Sequence, residues 1–314
     1  MRIVITGGAG FLGSHICERL HSEGNIIFCL DNFCTGRKKN IQHLLDKDYF
    51  YLIEHDICNP IPSNSLFGKI DQIYNLASPA SPPAYGSIPI ETFETNILGS
   101  INCLEFALKQ NATVLFTSSS EVYGEALVHP QPESYWGNVN SVGPRSCYDL
   151  SKKAGETLYY DYNRIYGVKT KIVRLFNSFG TNMRPDDGRV VSNFILQSIK
   201  NEPITLYGDG SQTRSFCFVD DTINGLIKMI NSDPSFIGPV NIGNPNEITI
   251  NELAQTVIKL TNSKSEIEYR PLPQDDPTRR CPDILLAKEK LGWEPKVSLE
   301  DGLIKTIEYF RDTL

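Results

Sequence analysis

A tyrosine and a lysine in the middle of the chain have the spacing of a proton-transfer pair. Tyr148 and Lys152 are four residues apart, so on a helix their side chains lie on one face. A free tyrosine has a pKa of roughly 10 and is a poor base near neutral pH, but a neighbouring ammonium favours the phenolate and lowers that pKa. The pair therefore predicts removal of a proton from a hydroxyl group. This spacing is common by chance, and a surface helix would show it equally well.

A glycine-rich segment near the start of the chain has the pattern of a pyrophosphate-binding turn. The run VITGGAGFLG (4–13) places Gly7, Gly10 and Gly13 between a short apolar strand and the predicted start of a helix. Glycine permits a tight turn and a close approach of the backbone, and the first N–H groups of the helix can face a pyrophosphate. Glycine triplets also occur in ordinary turns, so this motif depends on the residues that accompany it.

An acidic residue follows the second predicted strand at the position expected for a ribose ligand. Asp31 lies 18 residues after Gly13, and a carboxylate there accepts hydrogen bonds from a ribose 2′-hydroxyl and repels a 2′-phosphate. NAD is therefore expected in preference to NADP, and its positive nicotinamide ring would further favour the tyrosine phenolate. Asp56, at the end of the third predicted strand, is either a contact of the adenine amino group or a simple strand-end carboxylate. Candidates to cap or contact the same nucleotide are Asn32, Thr35, Gly36 and Arg37.

The predicted elements place these residues on an α/β fold. In the first half of the chain, apolar runs alternate with helical patterns, which is typical of a Rossmann-type doubly wound parallel sheet covered on both faces. A Ser-rich strand end at 118–120 precedes the tyrosine. The predicted strands are residues 3–6, 26–30, 50–55, 72–77, 113–119 and 170–177, and the longest predicted helices are residues 90–110 and 149–166.

After residue 177 the alternation loosens, and we expect a smaller α/β carboxyl-terminal substrate domain. A strand over 216–221 is expected to return to the sheet, with Asp220 or Asp221 capping the helix that follows. The other elements expected here are helices at 188–200, about 249–260 and 298–312, and a strand at 204–208. The predicted NAD-binding Rossmann domain is residues 1–176 plus about 213–240, and the predicted substrate domain is residues 177–212 plus about 241–314.

Composition argues against several functional classes. The 314 residues carry a formal charge of −7, whereas a nucleic-acid surface needs clustered Lys and Arg. The eight cysteines form no C-x-x-C pair and the five histidines have no metal-like spacing, so reduced thiols and no metal site are expected. No stretch has the 18 or so apolar residues of a membrane helix, and a first strand at Ile3 leaves no room for a signal peptide. A soluble cytoplasmic protein is expected.

Taken together, the motifs resemble the extended short-chain dehydrogenase/reductase superfamily of enzymes that modify nucleotide sugars. The glycine motif, Asp31, Tyr148 and Lys152 carry this similarity, which runs from Met1 to about residue 310. Within the superfamily the chain closely resembles the UDP-glucuronate decarboxylases, also called UDP-xylose synthases. The strings that carry the closer resemblance are NLASPASPPAY (75–85), TSSSEVYGE (117–125), YWGNVNSVGPRSCYD (135–149), FNSFG (176–180), DDGRVVSNF (186–194), YGDGSQTRSF (207–216), DDPTRRCPDI (275–284) and LGWEP (291–295).

The resemblance implies NAD-dependent decarboxylation of UDP-glucuronate to UDP-xylose through a UDP-4-keto intermediate, with NAD tightly bound and a homodimer as the assembly. Ser119 is then the hydroxyl partner of Tyr148. Ser120 and Glu121 follow it into the sugar pocket, where relatives that eliminate water have Asp-Glu instead. Arg214 acts on the sugar carboxylate or protonates the ring after carbon dioxide leaves.

The same resemblance completes the sets of residues expected to bind cofactor and substrate. The cofactor-binding candidates are Gly7, Gly10, Phe11, Leu12, Gly13, Asp31, Asn32, Phe33, Thr35, Gly36, Asp56, Ile57, Leu76, Ser78, Thr95, Tyr148, Lys152, Ser178 and Arg184. The substrate-binding candidates are Tyr85, Tyr162, Asn177, Arg189, Val190, Tyr207, Gln212 and Arg280. The predicted helices 90–110 and 149–166 resemble those that pair in the family as a four-helix dimer bundle.

Other functions stay open from the sequence. A 4-epimerase would use the same oxidation and let the 4-keto sugar rotate, whereas a 4,6-dehydratase lacks its aspartate at Ser120. A non-catalytic dinucleotide-sensing or scaffold protein is disfavoured by the intact Ser119, Tyr148 and Lys152. Many UDP-xylose synthases carry a lysine where this chain has Glu94 and read YDEGK where this chain has YDLSK (148–152). A related bacterial decarboxylase, similar in this respect, has an acid at the Glu94 position.

Overall fold

Strands and helices alternate along the chain, and the computed structural model describes residues 1–62, 67–274 and 276–314. Residues 63–66 and residue 275, the first of the DDPTRRCPDI string, lie outside the described residues. The strands are β1 (Arg2–Thr6), β2 (Ile26–Asp31), β3 (Phe50–Glu54), β4 (Gln72–Asn75), β5 (Thr113–Ser119), β6 (Lys169–Leu175), β7 (Ser178–Phe179), β8 (Ile204–Tyr207), β9 (Thr213–Ser215), β10 (Cys217–Phe218), β11 (Val240–Ile242), β12 (Glu247–Thr249), β13 (Ile267–Arg270) and β14 (Arg279–Arg280). The helices are α1 (Phe11–Ser22), α2 (Pro82–Ser87), α3 (Pro89–Gln110), α4 (Ser146–Tyr166), α5 (Val190–Lys200), α6 (Val219–Ile230), α7 (Ile250–Thr261), α8 (Leu285–Leu291) and α9 (Leu299–Thr313), with 3₁₀ turns at Lys38–Leu44 and Ser120–Tyr123.

Seven strands form one parallel sheet in the order β11-β6-β5-β4-β1-β2-β3. β1 pairs with β2 on one side and with β4 on the other, so the chain reverses its direction across the sheet beside β1. Ligands of such doubly wound sheets bind outside the carboxyl ends of the strands at this reversal. The predicted Rossmann-type fold is confirmed, and it places the functional site at that edge.

Helices cover both faces of this sheet. Ile3 and Val4 are neighbours in β1 and are both fully buried, but they belong to different apolar clusters because successive side chains point to opposite faces. Ile16 of α1 packs in the first cluster, and Leu104 of α3 and Tyr159 of α4 pack in the second. This two-sided burial explains why the strands are continuous apolar runs rather than alternating patterns.

One predicted strand joins a different sheet. The segment 216–221 contains β10, which pairs with β7 in a separate two-stranded sheet, while β11 takes the place beside β6. Phe218 is the N-cap residue of α6, so neither Asp220 nor Asp221 caps that helix as predicted. Asp221 instead accepts a hydrogen bond from the Lys296 backbone N–H at 2.9 Å, because its side chain is directed to the segment before α9.

The carboxyl-terminal part contributes smaller sheets that flank the main one. β9 lies between β12 and β14, and β8 pairs with β13. β11 lies at the predicted domain boundary near residue 240, and the division into two domains stays a prediction. Within the three described ranges, every helix is too short or too polar to cross a membrane.

Candidate active site

The glycine motif forms a tight turn between β1 and α1. Gly7 has a φ of +68°, and a Cβ there would lie 2.8 Å from the Ala77 Cα. A Cβ on Gly13 would collide with the Gly7 carbonyl oxygen, so both positions require glycine. Gly10 is the N-cap residue of α1, and no side chain caps the helix there. The backbone can therefore approach a pyrophosphate closely at the N-terminus of α1.

Asp31 ends β2 beside this turn and is held by backbone N–H groups. Its Oδ2 accepts a hydrogen bond from Ala9 N at 2.9 Å, and its Oδ1 accepts one from Phe33 N at 2.8 Å. Burial raises the pKa of the Asp31 carboxyl above its ordinary value, and the two N–H donors oppose this. A Cβ on Gly36 would lie 2.7 Å from the carboxylate, so glycine lets the next loop pass close to Asp31. This is the position of the ribose ligand in NAD-binding folds.

The residues predicted for the adenine side lie together beyond Asp31. Asn32 Nδ2 donates to Asp56 Oδ2 at 3.2 Å. Burial acts to raise the pKa of Asp56, but hydrogen bonds from Cys58 and Asn32 outweigh it and lower the pKa. Ile57 packs against α3, and Thr95 on that helix lies 3.8 Å from the Cys58 sulfur. Asp56 is therefore an ionised hydrogen-bond acceptor beyond the carboxyl end of β3.

A cavity of about 440 Å³ opens at the carboxyl edges of β4, β5 and β6. Its walls come from both halves of the chain. The predicted residues that line it are Leu12, Leu76, Ser78, Tyr85, Ser119, Ser120, Glu121, Tyr148, Lys152, Asn177, Ser178, Arg189, Val190, Tyr207, Gln212 and Arg214. The structure therefore brings the predicted catalytic residues together with most of the predicted substrate-binding residues.

Tyr148 and Lys152 lie in the first turns of α4, which begins before the predicted residue 149. Tyr148 is hydrogen-bonded to Ser119, and its ring stacks on Tyr85 with the centroids 5.1 Å apart. Lys152 Nζ lies 5.6 Å from the Tyr148 ring centroid and donates to the Thr117 carbonyl at 3.0 Å. The two side chains share one face of the helix, as their spacing predicts.

The pKa values of this pair differ from the prediction. Burial raises the pKa of Tyr148 above its ordinary value, and the hydrogen bond with Ser119 opposes this only in part. Burial also lowers the pKa of Lys152 to about 7. The expected lowering of the tyrosine pKa by a lysine ammonium is therefore not found, because enclosure disfavours the charged form of both groups.

Glu121 is held between two arginines at the end of β5. Arg145 Nη2 donates to Glu121 Oε2 at 2.8 Å, and Arg280 Nη1 lies 2.9 Å from Glu121 Oε1. Burial acts to raise the pKa of Glu121, but the charges and hydrogen bonds of Arg280 and Arg145 outweigh it and lower the pKa to about 2. Glu121 is therefore an anion near neutral pH and a weak base.

Sequence reasoning misses Arg145 and Asp276, which also line the cavity. Arg145 Nη1 lies 3.4 Å from Asp276 Oδ1, and Arg214 Nη2 lies 3.0 Å from Asp276 Oδ2. The available signal for Arg145 is its place three residues before Tyr148, and it is the N-cap residue of α4 in the structure. Asp276 belongs to the DDPTRRCPDI string, but nothing in that string indicates which arginines it contacts.

Two predicted substrate-binding residues are not among the residues that line the cavity. Tyr162 lies in the last two turns of α4, roughly 20 Å from the end that lines the cavity. Its hydroxyl donates to Glu105 Oε1 on α3 at 2.7 Å, so it joins two helices. Arg280 is almost fully buried behind the cavity wall, where Nη1 donates to Ser120 Oγ at 3.0 Å and its guanidinium pairs with Glu121. Arg280 therefore positions Glu121 rather than lining the cavity.

The arginines before α5 pair with nearby aspartates. Arg189 is bonded to Asp187, with Nη2 at 3.0 Å from Oδ2, and its guanidinium lies 5.5 Å from the Phe11 ring centroid. Arg184 pairs with Asp186 at 2.7 Å and is not among the residues that line the cavity. Arg189 therefore links the start of α5 to α1 at the cavity, whereas Arg184 lies outside it.

A group of candidate metal ligands occurs away from the cavity. Ligand atoms of His129, Glu247 and Cys281 lie within 4.8 Å of one another among the described residues. Gln131 Oε1 accepts from Cys281 N at 2.9 Å, which orients its amide NH₂ toward His129 Nδ1 at 3.4 Å. His129 Nε2 faces Glu247 Oε2 at 3.0 Å. Each ring nitrogen therefore has a hydrogen-bond partner, with Nδ1 as acceptor and Nε2 as donor.

Comparisons with known proteins agree with this geometry. Residues 3–243 match the NAD dependent epimerase/dehydratase family. The chain belongs to this family. Among its relatives, UDP-glucuronic acid decarboxylase 1 of Danio rerio is 52% identical over 309 residues, which cover 98% of this chain and 72% of the relative. UDP-glucuronic acid decarboxylase 1 of Arabidopsis thaliana is 49% identical over 314 residues, covering 100% of this chain and 71% of the relative.

A solved structure of the same family has this fold over its whole length. UDP-glucuronic acid 4-epimerase from Bacillus cereus, in complex with UDP-glucuronic acid and NAD, superposes with a TM-score of 0.91 at 28% identity and covers 100% of both chains. The resemblance to UDP-glucuronate decarboxylases is confirmed at the level of sequence, and the fold is shared with the epimerase members of the family.

Proposed function

We propose that this chain is an NAD-dependent UDP-glucuronate decarboxylase that forms UDP-xylose through a UDP-4-keto intermediate. The observation that carries the proposal is that Ser119, Tyr148 and Lys152 share one cavity with two arginines, Arg145 and Arg214. The first set suits proton transfer at a sugar hydroxyl, and the arginines suit a carboxylate. The relatives at 49–52% identity are named for UDP-glucuronic acid decarboxylation, which supports the same substrate.

The residues that would hold NAD are the glycine turn at Gly7, Gly10 and Gly13 and the carboxylate of Asp31. The turn fits a pyrophosphate because a Cβ at Gly7 or Gly13 would fill the space that close approach of the backbone requires. When bound, NAD supplies the reversible oxidation of the sugar C4 alcohol to a ketone. Asp31 favours NAD over NADP by repelling a 2′-phosphate.

Tyr148 is the proposed proton acceptor for the sugar 4-hydroxyl. The hydrogen bond with Ser119 and the charge of Arg189 both favour the phenolate against the effect of burial. Lys152, with its pKa lowered to about 7, can give or take a proton near neutral pH. These three side chains therefore place proton transfer at the cavity wall formed by α4 and β5.

Decarboxylation follows from the position of the ketone. A ketone at C4 is β to the carboxylate on C5, so loss of carbon dioxide leaves an enolate whose charge lies on the ketone oxygen. Hydroxyl groups of Ser119 and Tyr148 can donate to that oxygen. Arg214 is proposed to hold the carboxylate or to assist protonation of the ring. Arg280 and Arg145 balance the charge of Glu121. The proposed role of Glu121 is therefore to orient these two arginines rather than to repel the substrate carboxylate.

Incubation with UDP-glucuronate and catalytic NAD tests this function directly. We expect release of carbon dioxide, UDP-xylose by proton NMR and no net NADH. UDP-galacturonate without carbon dioxide would indicate the 4-epimerase, and turnover of UDP-glucose or dTDP-glucose alone would indicate the dehydratase. Ser120 argues against the dehydratase, because it cannot donate a proton as the aspartic acid of such enzymes does. Bound NAD with no turnover would indicate a non-catalytic protein.

We also propose that two copies associate through α3 and α4. The exposed apolar side chains Ile90, Phe93 and Leu98 on α3 and Ile165 on α4 support this arrangement. Light scattering should then give twice the 35.2 kDa of one chain. The cytoplasmic location stays a prediction.

A further inference from the structure

Three arginines, Arg145, Arg214 and Arg280, form a cluster whose positive charges are balanced by carboxylates. Arg145, Arg214 and Arg280 pair with Glu121 and Asp276, and the negative charge of Asp149 also acts on Arg145, so three guanidinium groups meet three carboxylates. The side chains of Arg145 and Arg214 are only 14% and 11% exposed, and Arg280 is 2% exposed. A guanidinium stays charged in proteins, so the charges of this partly enclosed cluster stay balanced on binding of a further anion only when one of the carboxylates leaves.

The two carboxylates are held in different ways. Glu121 contacts Arg145 and Arg280 at 2.8 and 2.9 Å and is 16% exposed. Asp276 is 27% exposed, lies at the cavity wall, and contacts Arg214 at 3.0 Å and Arg145 at 3.4 Å. Asp276 is therefore the more accessible of the two and the one that a ligand in the cavity can displace.

Arg214 needs an anionic partner in this position. Burial lowers the pKa of Arg214 below its ordinary value, and Asp276 is the neighbour that opposes this most strongly. The remaining Arg214 contacts are to the Thr213 and Thr278 carbonyls at 2.8 and 3.5 Å, which carry no full charge. Removal of Asp276 from Arg214 is therefore costly unless another anion replaces it.

We propose that Asp276 is an exchangeable partner of Arg214: the carboxylate of a uronic acid sugar takes its place, and Asp276 returns when that carboxylate is lost. The inference rests on the proposed function, because it requires a substrate whose carboxylate leaves as carbon dioxide. The pentose product has no carboxylate and does not compete with Asp276. Asp276 therefore competes with the substrate for Arg214 but does not compete with the product.

Calorimetry with the NAD-loaded protein tests this exchange. The parent is the Tyr148→Phe chain, in which turnover is suppressed, and Asp276→Asn is added to it. Without the competing carboxylate, UDP-glucuronate should bind roughly 5- to 30-fold more tightly, as expected for loss of one charged pair. The affinity for UDP-xylose should change by less than about threefold. Asp276→Glu, which keeps the charge, should return the UDP-glucuronate affinity close to that of the parent.

The control is Asp46→Asn, a charge change at an exposed position remote in sequence from the cluster, which should leave both affinities unchanged. An equal loss of affinity for UDP-glucuronate and UDP-xylose in Asp276→Asn would overturn the proposal, since it would mean that Asp276 only holds the arginines in place. Unchanged UDP-glucuronate affinity would overturn it as well. Carbon dioxide release by the unmodified chain is scored separately, so a failure of the decarboxylase assignment is distinguished from a failure of the exchange.

Discussion

Replacement of Glu121 by glutamine measures how strongly Arg145 and Arg280 stabilise a partly buried carboxylate. Glu121→Gln keeps the size of the side chain and removes the charge between Arg145 and Arg280. The pKa of Glu121 is lowered from 4.5 to about 2. At 1.36 kcal/mol for each pH unit, the difference corresponds to about 3 kcal/mol in favour of the charged form in the folded protein. We therefore expect the free energy of unfolding at pH 7 to fall by about 3 kcal/mol.

The pH dependence of this effect has a definite sign. Because the folded pKa of Glu121 lies below the unfolded value, the stabilisation is fully present above about pH 4.5 and is lost as the pH falls toward 2. At pH 3.5 about 1 kcal/mol of it is lost, since the unfolded chain binds a proton there and the folded chain does not. Glutamine does not titrate, so the difference in the free energy of unfolding between the two proteins should narrow in acid.

Urea unfolding of both proteins at pH 7, 5.5 and 3.5 gives the required free energies. The matched control is Glu268→Gln, since Glu268 pairs with Arg270 at 3.1 Å but both side chains are about half exposed. That control should change stability by less than about 1 kcal/mol. The reasoning would be refuted if Glu121→Gln lowered the free energy of unfolding by less than about 1 kcal/mol at pH 7, or if the difference from the unmodified protein widened in acid.

Two further predictions concern proton transfer and cofactor choice. Tyr148→Phe should leave NAD binding nearly intact and reduce carbon dioxide release by roughly 10²–10⁴-fold, the usual contribution of a general base; turnover near that of the unmodified chain would contradict the assignment. Asp31→Ala should narrow the preference for NAD over NADP in calorimetry, because it removes repulsion of the 2′-phosphate. Equal affinities for the two dinucleotides in the unmodified chain would exclude this role of Asp31.

Much of the central sheet is predictable because its strands are continuous apolar runs. Residues 26–30 and 113–119, for example, are buried on both faces, and their composition alone shows this. β11 has only three residues, and its place depends on pairing with β6, so no local pattern reveals it. The same reason explains the error at 216–221, where an apolar run is long enough for a strand but pairs with β7 instead.

The candidate site is predictable where its chemistry is local in sequence. Tyr148 and Lys152 lie on one face in the structure, as their spacing predicts, because one helix carries both. The pKa values of that pair are not predictable, because they depend on enclosure by the whole domain. Contacts such as Arg145 with Asp276, which are 131 residues apart, follow only from the folded chain.

The pairing of Glu121 with Arg280 also has a consequence for the order of events during synthesis. The two residues are 159 positions apart. At roughly 5–20 residues per second, Arg280 leaves the ribosome about 8–30 s after Glu121. The first half of the sheet can fold in that interval. Until Arg280 is in place, Arg145 is the one arginine of the pair that can contact the Glu121 carboxylate. Completion of the site is therefore a late event, and a nascent chain that stops before β14 would hold a folded dinucleotide turn beside an unfinished charge cluster.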